Sequence, residues 1–194
     1  MTTSPVAILM AAGRGRRFDP QGRHNKLLQS LPGGDLVVLA SARKLLGAFA
    51  RVIAVVPPFD AGVGAQLAAL GCEVTVCPDA DSGMAASLTH ALRHSLPEAQ
   101  AWLVALGDMP HVAPATLAVL RDALAAGAGI AAPVMDGRRG NPVGFGRIHL
   151  DALLALTGEQ GARRLLQTCP VLEVEVLDRG IFLDIDTPAD LSTV

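Results

Sequence analysis

The 194-residue chain has a formal net charge of −2, with 51% hydrophobic and 18% charged residues. This composition is too apolar for a disordered chain, and the length suits one domain, which we expect to span residues 1–194. The balanced charge argues against a general nucleic-acid binder. With no leader signal and no apolar stretch near the roughly 20 residues of a membrane-spanning helix, we expect a cytoplasmic protein without a membrane partner. Its three cysteines lack metal-site spacing, which suits a reducing compartment.

Short β-rich segments alternate with alanine- and leucine-rich helical segments along the chain. This alternation predicts an α/β fold in which helices cover both faces of a mostly parallel sheet, and the nearly continuous apolar strands agree with it. The predicted strands span residues 6–10, 52–56, 73–77, 102–106 and 130–133. The predicted helices span residues 36–49, 61–70, 84–95, 114–126 and 161–168. Residues 143–145, 171–177 and 182–185 are predicted to add a mixed or antiparallel edge.

The loop after the first predicted strand combines glycines with clustered positive charge. Gly13 and Gly15 let backbone amides close around a ligand, because no Cβ blocks the approach. Amides and guanidinium groups together favour a polyanion, so the loop predicts a triphosphate site with a cationic rim. A solvated basic loop without a ligand is the simpler alternative. The cations of the loop are Arg14, Arg16, Arg17, Arg23 and Lys26.

Two common glycine motifs do not fit this loop. A P-loop requires GxxxxGK followed by Ser or Thr, and the chain has no such run. A dinucleotide-binding fingerprint requires a third glycine where the chain has Phe18, and a quick turn into a helix where residues 19–22 prolong the loop. An NAD-dependent oxidoreductase is therefore disfavoured.

Carboxylates follow two further apolar segments. Asp108 comes directly after the predicted strand at residues 102–106, and a carboxylate beside a triphosphate requires a cation, usually Mg²⁺. Asp184 and Asp186 share one side of an extended segment, and one of them, by preference Asp186, could complete the metal site. A turn or helix-cap role is the alternative for Asp108, and helix capping by Asp186 or Thr187 is the alternative for the later segment. Since ligands of such folds bind at the carboxyl ends of the strands, the first loop, residues 82–87 and residues 107–110 are expected on one rim.

Three further groups of residues have weaker chemical signals. Gly83 and Ser87 belong to a small-residue segment that permits close approach of a base or ribose, although a plain helix start explains it nearly as well. Arg139 and Asn141 belong to a polar turn that could hold an anionic acceptor. The five histidines form no zinc motif, and His90 and His94 are expected on the surface without nearby acidic partners.

Six segments follow one another along nearly the whole chain: LMAAGRGRRF with Lys26, PDADSGMAASL, ALGDMP, GRRGNPVGF, GEQGARRLL and DIDTPADL. In these segments the chain resembles the MobA-like nucleotidyltransferases, and within them the molybdenum cofactor cytidylyltransferase branch. The resemblance implies a Rossmann-like three-layer fold, Mg²⁺ dependence and nucleotidyl transfer to the terminal phosphate of molybdopterin. A molybdoenzyme of the xanthine dehydrogenase type, or its chaperone, is the implied protein partner.

The motifs of this family assign roles to individual residues. Arg17, Lys26 and Asp108 are the expected catalytic residues, Asp108 and Asp186 the Mg²⁺ ligands, and Arg139 and Asn141 the acceptor contacts. The expected nucleotide-binding residues are Ala11, Ala12, Gly13, Arg14, Gly15, Lys26, Gly83 and Ser87.

Two features of the resemblance favour CTP over GTP. The guanylyl branch typically has AGG in the first loop where this chain has Ala11-Ala12-Gly13, and residues 83–88 look like the cytidylyl segment. The chain departs from the pattern at Asp19, which stands where relatives commonly have glycine in a shorter loop, and Gly22 is the candidate replacement. The alternatives are GTP as donor, another phosphorylated acceptor, or a non-catalytic carrier of the cofactor.

Overall fold

The computed structural model describes residues 4–13, 15, 17–158 and 161–192 of the chain. Arg14, one of the expected nucleotide-binding residues, lies outside the described residues. Within these ranges, no helix has both the length and the apolar character that crossing a membrane requires.

Strands and helices alternate through the first two thirds of the chain, as the sequence predicts. The strands are β1 (Val6–Met10), β2 (Val52–Val56), β3 (Glu73–Val76), β4 (Ala101–Leu106), β5 (Ile130–Met135), β6 (Arg138–Arg139), β7 (Val143–Gly146) and β8 (Leu172–Glu175). The helices are α1 (Val37–Ala48), α2 (Val63–Leu70), α3 (Met84–Ser95), α4 (Pro114–Ala125), α5 (Leu150–Leu154) and α6 (Arg163–Thr168).

The strands form one mixed sheet in the order β3-β2-β1-β4-β7-β5-β6, with β8 paired to β5. The pairs of β1 with β2 and β4, and of β2 with β3, are parallel, whereas β7 runs antiparallel to both β4 and β5. This arrangement confirms the predicted α/β class with its mixed edge. Met10 lies opposite Leu106 in the register of β1 and β4, so the loops that follow these two strands leave the sheet side by side.

Two apolar layers cover the sheet because successive side chains of a strand point to opposite faces. Ala7 and Leu9 of β1 pack on the side of α1 and α4. Ile8 packs on the other side with Trp102 and with residues of α3. Both faces of β1 are therefore buried, which explains why this strand is apolar throughout.

The prediction of a strand at residues 182–185 is wrong. Arg179–Phe182 forms a 3-10 turn, and residues 183–187 have no regular secondary structure. Hydrogen bonds to a buried carboxylate fix this segment, and strand pairing does not: Asp178 accepts the backbone N–H groups of Ala113 at 2.8 Å and Gly180 at 2.9 Å. Gly180 packs so closely that a Cβ there would lie 2.2 Å from the carbonyl oxygen of His111.

Candidate active site

The carboxyl ends of β1 and β4 open into a cleft of about 470 Å³. The first loop, the start of α3, the turn after β4 and residues 184–186 line its walls, so the structure brings together the three segments that the sequence placed on one rim. The expected site residues that line the cleft are Ala12, Gly13, Gly15, Arg17, Lys26, Gly83, Ser87, Asp108 and Asp186. Ala11 lies behind them, 3% exposed, in the core.

The first loop turns at Gly15, whose φ of +58° favours glycine. Its carbonyl oxygen accepts hydrogen bonds from the backbone of Phe18 and Asp19, and the buried Phe18 ring anchors the loop to the core. A Cβ on Gly15 would contact the Cγ of Lys26 at 3.4 Å. The loop therefore folds its glycine against the stem of the lysine and leaves Gly13 exposed at the mouth of the cleft.

Asp19, where the chain departs from the family pattern, organises the second half of the loop. Its Oδ1 accepts the backbone N–H of Gln21 at 2.8 Å, and its Oδ2 accepts those of Arg23 and His24, both at 2.9 Å. These donors, first among them Gln21, lower the pKa of Asp19 to about 2. The carboxylate thus closes a longer loop, in which Gly22 takes a φ of +67°.

Lys26 stands at the floor of the cleft on a short 3-10 turn, Lys26–Leu28. The side chain of Asn25 accepts the N–H of Leu27 at 2.9 Å and so caps this turn. Lys26 is 8% exposed, and its Nζ lies 2.5 Å from Asp108 Oδ2 and 3.4 Å from Asp186 Oδ1. Arg17, on the rim, forms an ion pair with the other oxygen of Asp186.

The turn after β4 holds Asp108 at the inner end of the cleft. The backbone N–H of Gly107 donates to the carbonyl of Met10 at 2.9 Å, and a Cβ on Gly107 would lie 3.0 Å from that oxygen. The carbonyl of Asp108 accepts the N–H of Ile185 at 2.8 Å, which ties the turn to the C-terminal segment. Backbone hydrogen bonds thus connect the turn at Asp108 to the end of β1 and to the residue before Asp186.

The C-terminal carboxylates differ in their surroundings. Asp190 accepts the backbone N–H groups of Asp186 and Thr187 and the hydroxyl of Thr187, and these bonds lower its pKa. Asp190 therefore caps the last turn, and the carboxylate of Asp186 is left for the cleft. Partial burial, a hydrogen bond with Asp186 and the charges of Asp186 and Asp108 raise the pKa of Asp184.

The residues of the cleft fit a divalent cation that is coordinated both by protein carboxylates and by phosphate oxygens of a bound nucleotide. Asp108 Oδ1 is buried and has no hydrogen-bond partner among the described residues. In the same ranges, no three His, Cys, Asp or Glu side chains converge closely enough to hold a metal ion by themselves. Mg²⁺ in phosphate-binding enzymes commonly takes one or two carboxylates and completes its shell with phosphate oxygens and water. Asp108 and Asp186 are suited to that role.

The start of α3 forms the wall of the cleft opposite the lysine. Gly83 has a φ of +115°, which an L side chain rarely adopts, and it opens the helix at Met84. Ser87 is 2% exposed and faces the cleft. Ala85 donates its N–H to the carbonyl of Gly158 at 3.1 Å, so the loop before α6 packs on this helix start.

The two expected acceptor contacts do not line the cleft. Arg139 Nε lies 2.7 Å from Glu173 Oε1, and its Nη1 donates to the carbonyl of Leu166 at 3.0 Å. Asn141 donates its backbone N–H to the carbonyl of Ile181 at 2.9 Å. Both residues thus fasten the mixed edge of the sheet to the C-terminal region.

Sequence reasoning missed Asp178 and the partner of one histidine. The link from Asp178 to the start of α4 left no local signal, because Ala113 and Thr116 lie more than sixty residues earlier in the chain. The expectation that His94 lacks an acidic partner is wrong, since its Nε2 lies 2.8 Å from Glu73 Oε1 across the sheet edge. His90 instead contacts Thr75 Oγ1 at 2.8 Å.

Residues 7–174 match the family model of the MobA-like NTP transferase domain. The chain belongs to the MobA-like NTP transferase family. This match confirms the family to which the sequence segments pointed.

The relatives of this MobA-like protein include curated proteins and solved structures. It is 31% identical over 149 residues to the bifunctional protein GlmU of Bradyrhizobium sp. (strain ORS 278), covering 76% of this chain and 32% of GlmU, so the chain spans about a third of that relative. Rv0371c of Mycobacterium tuberculosis H37Rv is 31% identical with a TM-score of 0.83, covering 97% of this chain and 96% of Rv0371c. A nucleotidyl transferase of Methanothermobacter thermautotroptrophicus has a TM-score of 0.79 at 25% identity, covering 96% and 94% of the two chains.

The similarity to Rv0371c extends to a structure with a metal. The complex of Rv0371c with manganese has a TM-score of 0.80 and 30% identity to this chain, and covers 97% of this chain and 96% of the complex's chain. A divalent cation is therefore consistent with the fold and with the free oxygen of Asp108.

Proposed function

We propose that the protein is a Mg²⁺-dependent cytidylyltransferase that transfers CMP from CTP to the terminal phosphate of molybdopterin and releases pyrophosphate. The observation that carries the reaction class is one cleft that joins a glycine loop, the buried Lys26 and two carboxylates. Family membership supports nucleotidyl transfer, and the sequence resemblance supports cytidine and molybdopterin. We also propose that residues 1–194 act as one domain, with a molybdoenzyme of the xanthine dehydrogenase type or its chaperone receiving the product.

In this proposal, the chain binds the phosphates through its first loop. Backbone N–H groups of residues 12–15, together with Arg14 and Arg17, hold the β- and γ-phosphates. Lys26 lies deeper and neutralises charge on the α-phosphate and on the leaving pyrophosphate. Gly83 and Ser87 receive the ribose and base at the start of α3.

The chemical step exchanges one phosphoric anhydride bond for another. An oxygen of the acceptor phosphate forms a bond to the α-phosphorus while the bond from that phosphorus to the bridging oxygen breaks, and pyrophosphate leaves with the electron pair. Because the acceptor oxygen is already ionised, the protein needs no general base, and its contribution is positioning and charge neutralisation. Mg²⁺, held by Asp108 and Asp186, would supply additional positive charge to the phosphoryl oxygens.

Arg139 and Asn141 remain our proposed acceptor contacts, and the structure supplies a matched control for the arginine. Arg139→Ala removes the proposed contact, the pair with Glu173 and the hydrogen bond to the carbonyl of Leu166, whereas Glu173→Gln weakens only the pair. We expect Arg139→Ala to raise the KM for the acceptor about tenfold at unchanged KM for CTP, and Glu173→Gln to change neither value by more than about twofold. Equal effects of both variants would show that the arginine is only structural.

The test of the proposed function is release of pyrophosphate by the purified protein with Mg²⁺, molybdopterin and each of CTP, GTP, ATP and UTP. We expect release with CTP that depends on the acceptor. Release with GTP alone would preserve nucleotidyl transfer and overturn the choice of base. Tight binding of the acceptor without release from any nucleotide would favour a carrier instead.

A further inference from the structure

The cleft contains two cations that already pair with the two carboxylates proposed to bind the metal. Lys26 Nζ bridges Asp108 Oδ2 at 2.5 Å and Asp186 Oδ1 at 3.4 Å, and Arg17 pairs with the remaining oxygen of Asp186. The side chains of Lys26, Asp108 and Asp186 are 10%, 18% and 19% exposed, so water screens these pairs only partly. The four paired groups carry two positive and two negative charges and so offer a free cation little net attraction, although Asp81 and Asp184 also line the cleft.

A divalent cation that enters alone must therefore compete with an ammonium group for the same oxygens. Asp108 Oδ1 is unpartnered but buried, and the other Asp108 oxygen and one oxygen of Asp186 face Lys26. The positive charge of Lys26 repels the incoming ion at this short range.

A triphosphate changes this balance because it offers Lys26 and Arg17 a different anionic partner. Phosphate oxygens bound on the first loop would lie within reach of both side chains, since both line the same cleft as Gly13 and Gly15. When the cations turn to the phosphates, the carboxylates lose their counter-ions and gain affinity for a metal.

We propose that Lys26, assisted by Arg17 at the rim, prevents a divalent cation from binding to Asp108 and Asp186 until a nucleotide triphosphate binds. This inference rests on the proposed function, because it takes those carboxylates as the metal ligands. It predicts positive coupling: nucleotide raises the affinity for metal, and by linkage metal raises the affinity for nucleotide by the same factor.

The experiment measures binding of Mn²⁺ to the nucleotide-free protein by electron paramagnetic resonance of the free ion. Lys26→Met keeps the unbranched stem that packs on Gly15 but removes the charge. We expect Lys26→Met to bind Mn²⁺ about tenfold more tightly than the unmodified protein, although the variant loses turnover. Arg17→Gln, whose side chain is 78% exposed and so tolerates the change, should tighten binding by a smaller factor of about three.

Two controls test whether a change in Mn²⁺ affinity comes from the charge of Lys26. The first keeps that charge while altering the packing, and the second removes a lysine charge elsewhere in the protein. Lys26→Arg keeps the positive charge and should leave Mn²⁺ binding as weak as in the unmodified protein. Lys44→Met removes the charge of another half-buried lysine, which donates to the carbonyl of Pro110 rather than to a carboxylate of the cleft, and should also change nothing.

Unchanged or weaker Mn²⁺ binding by both Lys26→Met and Arg17→Gln would overturn the inference. The same conclusion would follow if Lys44→Met tightened binding as much as Lys26→Met. Because this readout needs no turnover, either result would leave acceptor-dependent pyrophosphate release by the unmodified protein intact. Absence of that release would instead count against the proposed function.

Discussion

At the scale of single residues, Asp19 shows how one carboxylate can organise a loop. The sequence marked the position as a departure and offered Gly22 as a substitute, and the structure gives Gly22 a left-handed φ. The larger effect comes from Asp19 itself, whose oxygens accept three backbone N–H groups. Such a turn is a local pattern that sequence can suggest, but which amides it captures depends on the closed loop.

Asp19→Asn tests whether this carboxylate orders the loop. The amide keeps the shape but loses the charge and part of the accepting capacity, so we expect hydrogen exchange of residues 19–26 to accelerate about tenfold and CTP affinity to fall. Asp60→Asn is the matched control, because Asp60 accepts the N–H groups of Gly62 and Gly64 in a different loop. Its effect should stay in residues 60–64. Equal exchange in the first loop of Asp19→Asn and the unmodified protein would contradict the assignment.

The lowered pKa of Asp19 also predicts a pH dependence of stability. Because the pKa in the folded protein, about 2, lies below the ordinary value of 3.8, ionised Asp19 stabilises the fold fully above about pH 4. This contribution disappears as the pH falls toward 2. The difference in Tm between the unmodified protein and Asp19→Asn should therefore be constant from pH 7 to about 5 and shrink below pH 4. A difference that grows with acidity would reverse the sign and refute this account.

Asp108→Asn tests the central carboxylate. The variant keeps the size of the side chain and the backbone bonds that hold it, yet removes the charge that faces Lys26. We expect a loss of turnover of about a hundredfold or more, with the far-ultraviolet circular dichroism of the folded protein retained. Asp122→Asn, an exposed carboxylate paired with Arg121 on α4, is the control and should keep normal turnover. Normal turnover of Asp108→Asn would exclude Asp108 from the metal site.

At the scale of elements, regular hydrophobic patterns determine what sequence can predict. β1, β2 and α3 begin and end at the predicted residues, because each is a continuous apolar run or a periodic helix bounded by loop residues. The two-residue strand β6 and the short α5 were missed, since neither is long enough to show a period. Residues 182–185 are apolar enough for a strand, but the carboxylate of Asp178, which also accepts the N–H of Ala113 before α4, holds the preceding turn instead.

Asp178→Asn tests the link between α4 and the segment that ends in Asp186. Asp178 is 8% exposed, and its carboxylate accepts a hydrogen bond from Thr116 Oγ1 at 2.6 Å as well as bonds from two backbone N–H groups. Replacing the carboxylate with an amide places the NH₂ group of asparagine against one of these donors. We expect a loss of about 2 kcal/mol in the free energy of unfolding and a Tm lower by about 5 °C. Thr116→Val removes only one of the three bonds and should cost about 1 kcal/mol.

Turnover distinguishes positioning from stability alone in these two variants. Because Ile185 donates to the carbonyl of Asp108, loosening the segment should move Asp186 relative to Asp108. At a temperature where both variants are folded, we expect Asp178→Asn to lower kcat about tenfold with little change in the KM for CTP, and Thr116→Val to keep kcat. Equal kcat values would show that Asp178 stabilises the fold without positioning the site.

At the scale of the whole molecule, the sheet order explains why distant segments share one site. Parallel pairing of β1 with β4 places the loops after both strands at one edge, and the rule for ligands at carboxyl ends predicted this from sequence. The rule does not say which charges meet. The contact of Lys26 with Asp108 joins residues 82 positions apart, and the pairing of Arg139 with Glu173 depends on β8 lying beside β5. Such contacts follow from register, which composition and periodicity leave open.

The most direct test of nucleotidyl transfer follows the phosphorus atoms of CTP. The protein is incubated with Mg²⁺, molybdopterin and CTP that carries radioactive phosphorus at either the α- or the γ-position, and the products are separated. We predict that the α-label appears in an adduct of molybdopterin and that the γ-label appears in pyrophosphate. An α-label that remains in CTP or appears only in free CMP, or a γ-label that reaches the acceptor, would contradict CMP transfer to molybdopterin.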